Sequence, residues 1–137
     1  MKQLLLICAV VMGGCASTPK VGPNSPEAKR QSAIVEAAIR KELKKPTGEL
    51  TKADLEKVTL LSLSSNQLTS VKGLEKLTQL KELYLNNNQL TDVRGLEKLT
   101  QLGVLCLEDN PDLTKAQITE LQKALPNCRN IFSNPTK

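Results

Sequence analysis

The chain has 137 residues, enough for one domain, and a formal charge of +5. It holds one tyrosine, one phenylalanine, no tryptophan and no histidine. Nucleic-acid binding would need a basic face interleaved with stacking rings, and the charges here are spread through helices and turns, so no nucleic-acid partner is expected; without histidine, the commonest general base and metal ligand is missing.

The chain opens with MKQLLLICAVVMGGC, in which Lys2 precedes an apolar run from Leu4 to Met12 and small residues close the segment. Nine apolar residues are too few to span a bilayer as a permanent helix, so residues 1–14 are expected to be an export signal. Gly13 and Gly14 directly before Cys15 resemble a bacterial lipobox. That resemblance implies cleavage before Cys15, a diacylglycerol on its sulfur and a further acyl chain, such as palmitate, on the new amine. Two or more chains, at about 0.8 kcal/mol per buried methylene, would hold the protein stably to a membrane. Ala16 in the next position implies, by the same resemblance, the outer membrane or cell surface. An ordinary secretory signal followed by an unremarkable cysteine is the other reading.

Residues 15–25 carry the proposed lipidation site and a tether, ASTPKVGPNS, with two prolines and no apolar run. Ten such residues reach roughly 33 Å when extended. Ser25, Pro26 and Glu27 then form a helix start: a capping hydroxyl, a proline at the first helical position and an acid near the positive end. Ile34, Ala37, Ala38 and Leu43 are expected to form its apolar stripe, with the helix running to about Lys44 and stopped by Pro46. This helix is expected to be a lid over the core of the segment that follows, with a partner-binding amphipathic helix as the alternative. Thr51 with Asp54 three residues on, between Leu50 and Leu55, predicts a second short helix. Residues 26–57 together make an N-terminal helical cap.

Residues 58–113 repeat one pattern in units 58–79, 80–101 and 102–113, with Asn66, Asn88 and Asn110 each 22 residues apart. The Leu-x-Leu step at Leu61 and Leu63, and again at Leu83 and Leu85, has a period of two and marks a strand with one buried face. After each asparagine the spacing changes to three, through Val71, Leu74 and Leu77 and through Val93, Leu96 and Leu99, which suits 3₁₀ turns; Gly73 and Gly95 argue against a long helix. The asparagines fall where the strand ends and backbone groups need partners, and a carboxamide offers both donor and acceptor, so a stacked column of them is expected to bridge the corners. These features resemble the leucine-rich repeat family, in particular its 22-residue, internalin-like bacterial class. The resemblance implies an α/β fold: a short right-handed solenoid of parallel strands, with a 3₁₀ or irregular convex side, capped by helices at both ends. Pro111 and Asp112 break the third copy and mark the end of the array.

Thr114 with Gln117 repeats the capping logic, so residues 114–137 are expected to be a C-terminal helical cap and tail. Cys106 and Cys128 lie 22 residues apart, and adjacent strands in that register would allow a disulfide. Leu125-Pro-Asn-Cys128 also imitates the Leu-x-x-Leu spacing, which turns Cys128 into the core; one residue of register decides between the two. The inward reading is preferred, partly because related exported bacterial repeat proteins carry similar Leu-Pro-x-Cys caps.

The strand positions that alternate with the buried leucines present Leu60, Ser62 and Ser64, then Glu82, Tyr84 and Asn86, then Val104, Cys106 and Glu108 to the concave side, followed at the strand ends by Ser65, Asn87 and Asp109. Tyr84 lies between Ser62 and Cys106 and is the natural anchor for a partner, unless it merely fills a strand face. Three short strands offer only about 250 Å², against the roughly 800 Å² a standard interface takes from each side, so a short peptide, a glycan or a shared protein contact fits best. Cys106 has no imidazole to activate it, Glu108 and Asp109 form a solvated rim, and no glycine-rich phosphate loop occurs. No catalytic residue, metal or cofactor is expected. The leading expectation is an exported, lipid-anchored module binding a protein, peptide or glycan; the alternative is a structural envelope lipoprotein, and an enzyme ranks last.

Overall fold

The computed structural model describes residues 24–134, so the signal segment 1–14, the proposed lipidation site Cys15, most of the tether and residues 135–137 lie outside the described residues. The elements run α1 (Pro26–Glu42), α2 (Lys52–Leu55), β1 (Leu60–Ser62), β2 (Glu82–Tyr84), β3 (Val104–Cys106), α3 (Lys115–Ala124) and β4 (Asn130–Phe132). The strands form one parallel sheet in the order β1-β2-β3-β4. Between β1 and β2, and between β2 and β3, the return path carries a 3₁₀ turn, Leu74–Lys76 and Leu96–Lys98. The fold is an α/β solenoid, one strand per coil, as the repeat pattern implies.

The alternation of strand side chains decides what is inside. Leu61, Leu83 and Leu105 stack in register and are buried, as are Leu63, Leu85 and Leu107 two residues on. Each fully buried leucine contributes about 1.5–3 kcal/mol of hydrophobic stabilisation. The turn leucines Leu74, Leu77, Leu96 and Leu99 close the same core from the convex side. Gly73 and Gly95 stand at the corners with φ of 98° and 104°, a left-handed conformation that costs a glycine nothing. Their amides donate to the carboxylates of Glu75 and Glu97 at 2.6 and 2.5 Å, which closes the turn and spends both acids locally.

At the strand ends the backbone turns inward through a left-handed residue in each coil, Ser65, Asn87 and Asp109, with φ of 60°, 56° and 55°. Leu68 and Asn66 then need acceptors for their amides, and both donate to Asn88 Oδ1 at 3.0 Å. Asn88 Nδ2 donates to the carbonyls of Leu63 and Leu85, both at 2.9 Å. Asn110 does the same one coil on, donating to Leu85 and Leu107 at 2.9 and 3.0 Å and accepting from Leu90 at 3.1 Å. Asn88 and Asn110 are buried, whereas Asn66 is half-buried and its side-chain Nδ2 donates to Ser64 O at 2.9 Å.

Both helical caps lie where the expected lids fall, with corrections of detail. Ser25 caps α1 by accepting from Ala28 at 3.1 Å. The helix ends at Glu42 rather than Lys44, because the chain already turns left-handed at Lys44 with φ of 53° before Pro46 can act. Its buried face is Gln31, Val35 and Ile39, with Ile34, Ala38 and Leu43 partly covered, and Ala37 faces solvent. Spacings of four set this stripe, which shifts it one column from the expected one. Thr51 and Thr114 form the two capping boxes with Asp54 and Gln117. Lys45 donates to Asp54 at 2.7 Å and holds that carboxyl far below the usual carboxylate range, fastening α2 to the end of α1.

The chain beyond α3 differs more from expectation. It does not end as cap and tail but returns to the sheet as β4, with Leu105 beside Ile131 and Cys106 beside Phe132. Cys128 is buried at the start of this coil, and Phe132 rather than Cys128 is the neighbour of Cys106, so the two cysteines are not bridged.

The asymmetry of the carboxamide column is testable by equilibrium urea denaturation. Asn88→Ala removes a hydrogen-bond partner from five buried or part-buried backbone groups and is expected to cost about 3–4 kcal/mol, while Asn66→Ala should cost only about 1 kcal/mol. Equal losses at the two positions would contradict the asymmetry.

Candidate binding face

The side chains opposite the leucine core line one open sheet face, four strands wide. Leu60, Glu82 and Val104 occupy one cross-strand row, and Ser62, Tyr84, Cys106 and Phe132 the next. Ser64, Asn86 and Glu108 follow at the strand ends, where Ser64 Oγ donates to Asn86 Oδ1 at 2.7 Å. The structure therefore brings together all nine expected face residues and adds Phe132, which the sequence reading passed over. Leu60 and Phe132 are the exposed large hydrophobic side chains among the described residues, at 37% and 47%, and both stand on this face. Period-two alternation from Ile131 would have revealed Phe132, had the last strand been recognised.

Polar contacts on the face are sparse and mostly internal. The Tyr84 hydroxyl donates to Glu82 Oε2 at 2.9 Å, and this bond to a carboxylate raises the phenol above its ordinary pKa. Burial, followed by the charge of Glu108, raises the Cys106 thiol as well, which leaves it a poor nucleophile at neutral pH. Asp109 is tied to Asn134: its amide donates to Asn134 Oδ1 at 2.7 Å, and Asn134 Nδ2 donates to Asp109 Oδ1 at 3.1 Å. Among the described residues no three Cys, Asp or Glu side chains assemble into a metal set, and Glu108 and Asp109 remain a solvent-facing rim. Cys15 lies outside the described residues, and no described helix is long and apolar enough to cross a membrane.

Stacked parallel strands, a turn-built convex side and an unobstructed strand face define an α/β repeat solenoid of the kind that presents a concave surface for interaction. The family described as Leucine Rich repeats (2 copies) matches residues 56–98 and 78–127, together more than half of the chain. The chain belongs to the leucine-rich repeat family. Its structure is similar to that of an internalin (inlF) from Listeria monocytogenes, with a TM-score of 0.66 and 30% identity over 77% of this chain and 31% of the internalin. It is also similar in fold to internalin C2 (inlC2) of the same organism, with a TM-score of 0.53 and 20% identity over 76% of this chain and 56% of that one. This chain thus spans about a third of the length of the first of these. No curated protein sequence matches it.

Because the chain holds a single tyrosine and no tryptophan, its ultraviolet titration reports Tyr84 alone. The midpoint is expected above the ordinary value of 10.0. Glu82→Gln removes the negative charge that opposes ionisation and should bring the midpoint down; an unchanged midpoint would mean that the carboxylate is not beside the phenol in solution.

Proposed function

We propose that this protein is an exported, lipid-anchored binding module that engages a protein, peptide or glycan of the cell envelope or of a host through its concave strand face. In this reading residues 1–14 are the signal, Cys15 carries the acyl chains, residues 15–25 hold the domain clear of the lipid, and the repeats 58–113, with the N-terminal cap 26–57 and the last coil of α3 and β4, form the module. The observation that carries it is the exposure of large apolar side chains on a face the core does not use: Leu60 and Phe132, with the half-buried Tyr84 between them. Leu60 on β1 and Phe132 on β4 bracket this face from its two edges, and water opposes leaving either side chain exposed.

Anchoring supports such a module physically. Four strands about 4.8 Å apart and five residues long offer roughly 320 Å², well below the roughly 800 Å² of a standard partner surface. A module confined to a membrane raises the local concentration of its site and makes a small, weak face useful.

Pull-down from envelope extract compares the wild-type chain with Tyr84→Ala and Glu82→Ala. Loss of the same partners in both variants is expected; unchanged partners in both would remove the concave-face reading and leave the structural envelope lipoprotein. Lipidation has its own test. Cys15→Ala is expected to move the protein out of the membrane fraction, and retention there would overturn the anchor.

A further inference from the structure

The open face is chemically unlike the rest of the chain. Its strand and strand-end positions, 60–66, 82–88, 104–110 and 130–134, include Glu82, Glu108 and Asp109 and not one lysine or arginine, in a chain whose formal charge is +5. None of the ion pairs among the described residues uses these three acids; the pairs lie on the helices and at a convex corner, as in Arg40–Glu36, Lys45–Asp54 and Arg94–Asp92. Among the described residues no ion pair neutralises the negative charge at these positions, and the nearest cations in sequence, Lys81 and Arg129, stand just before β2 and β4.

The chain's only two aromatic side chains share one cross-strand row on that face, Tyr84 on β2 and Phe132 on β4, with Cys106 on β3 between them. Two strand spacings separate the ring-bearing positions, about 9.6 Å, and the side chain between them is the short thiol of Cys106. A cation seated above Cys106 would be offset sideways by one strand spacing, about 4.8 Å, from each ring-bearing position, which leaves both rings free to turn toward it. Glu108 is two residues past Cys106, just beyond β3 and on the same face, about 6.6 Å away, within reach of a long side chain's charged head.

We infer that this face takes an extended cationic segment of a protein partner, one arginine or lysine of which seats above Cys106 between Tyr84 and Phe132 with its charge toward Glu108. The inference rests on the binding-module reading and names the chemistry of its partner. Scale agrees with charge: the sheet is about 19 Å across, which five or six extended residues cover, whereas a folded partner would need more than twice the area.

The test uses the full-length chain in mild detergent and follows the emission of Tyr84, the only tyrosine. The probes are three short blocked peptides that alternate glycine with arginine, glutamine or glutamate. The arginine peptide is expected to quench the emission saturably, with an affinity that falls as salt is added, and the other two are not. Glu108→Gln and Phe132→Ser, both at solvent-facing positions and checked for unchanged urea midpoints, should each weaken the arginine peptide about 2- to 5-fold, and the double variant about tenfold. Equal binding of the glutamate peptide, or binding indifferent to both substitutions, would overturn the inference. So would concentration-dependent self-association that Phe132→Ser abolishes, because a second copy would then be the occupant. If envelope partners depend on Tyr84 while the arginine peptide does not bind, only the cationic segment falls; if those partners are indifferent to Tyr84, the module reading falls with it.

Discussion

The structure depends on one constraint: a chain that coils around an all-leucine interior must find partners for the backbone groups that turn into it. Strand ladders satisfy the sheet, and the 3₁₀ turns satisfy the convex side, but the corner after each strand has neither. There the amide of Leu68 and the carbonyls of Leu63 and Leu85 point into apolar surroundings, and each unpaired group would cost about 1–3 kcal/mol. A single carboxamide, Asn88, serves all three while also accepting from Asn66, so one side chain joins two adjacent coils. The leucines supply the driving force; the asparagines make it possible to collect that force in register.

The same constraint returns at the ends of the stack, where a rung lacks the coil that would complete it. Between internal coils Thr91 donates its amide to Thr69 O at 3.3 Å. No coil precedes Thr69, and its amide donates instead to Gln31 Oε1 of α1 at 3.0 Å. At the other end Thr91 O receives Gln117 Nε2 of α3 at 3.0 Å. Asp109, whose counterpart Asn87 donates to Glu108 O, donates to the Asn134 side chain. Carboxamides from the caps thus imitate missing backbone, which explains why a polar residue, Gln31, is buried on the same helix face as Val35 and Ile39. The caps do more than cover leucine; they finish the hydrogen-bond pattern.

Most of this architecture was legible in the sequence because period two and period three alternate over a fixed 22-residue unit, and burial follows that rhythm without exception from Leu61 to Leu107. What was not legible has physical reasons. In the final coil α3 replaces a 3₁₀ turn, so 26 positions rather than 22 separate Leu105 from Ile131, and the strand reads Asn-Ile-Phe with no leucine to keep count. Missing β4 meant missing Phe132 and a quarter of the face. The stripe on α1 was shifted because alanines on a helix carry little information about which side packs: Ala38 is partly covered, Ala37 is not, and Val35 and Ile39 decide the orientation. Gln31 and Gln117 could not be identified from their type alone, since their partners are backbone groups far along the chain.

The repeats themselves separate scaffold from surface. From the corner asparagine through the return to the next strand, residues 66–80 and 88–102 differ at two positions, Ser70 to Asp92 and Lys72 to Arg94. The inward strand positions are leucine in all three copies. The outward ones differ in every copy: Leu60, Glu82 and Val104; Ser62, Tyr84 and Cys106; Ser64, Asn86 and Glu108. A purely structural solenoid gains nothing from such variety, because any soluble residue would serve at an exposed strand position equally in each coil. A recognition surface requires it, because rings, carboxylates and gaps must each occur at one place to fit a ligand that does not repeat. Near-identity in the returns and complete difference across the face are what a duplicated scaffold carrying a single composite site would show.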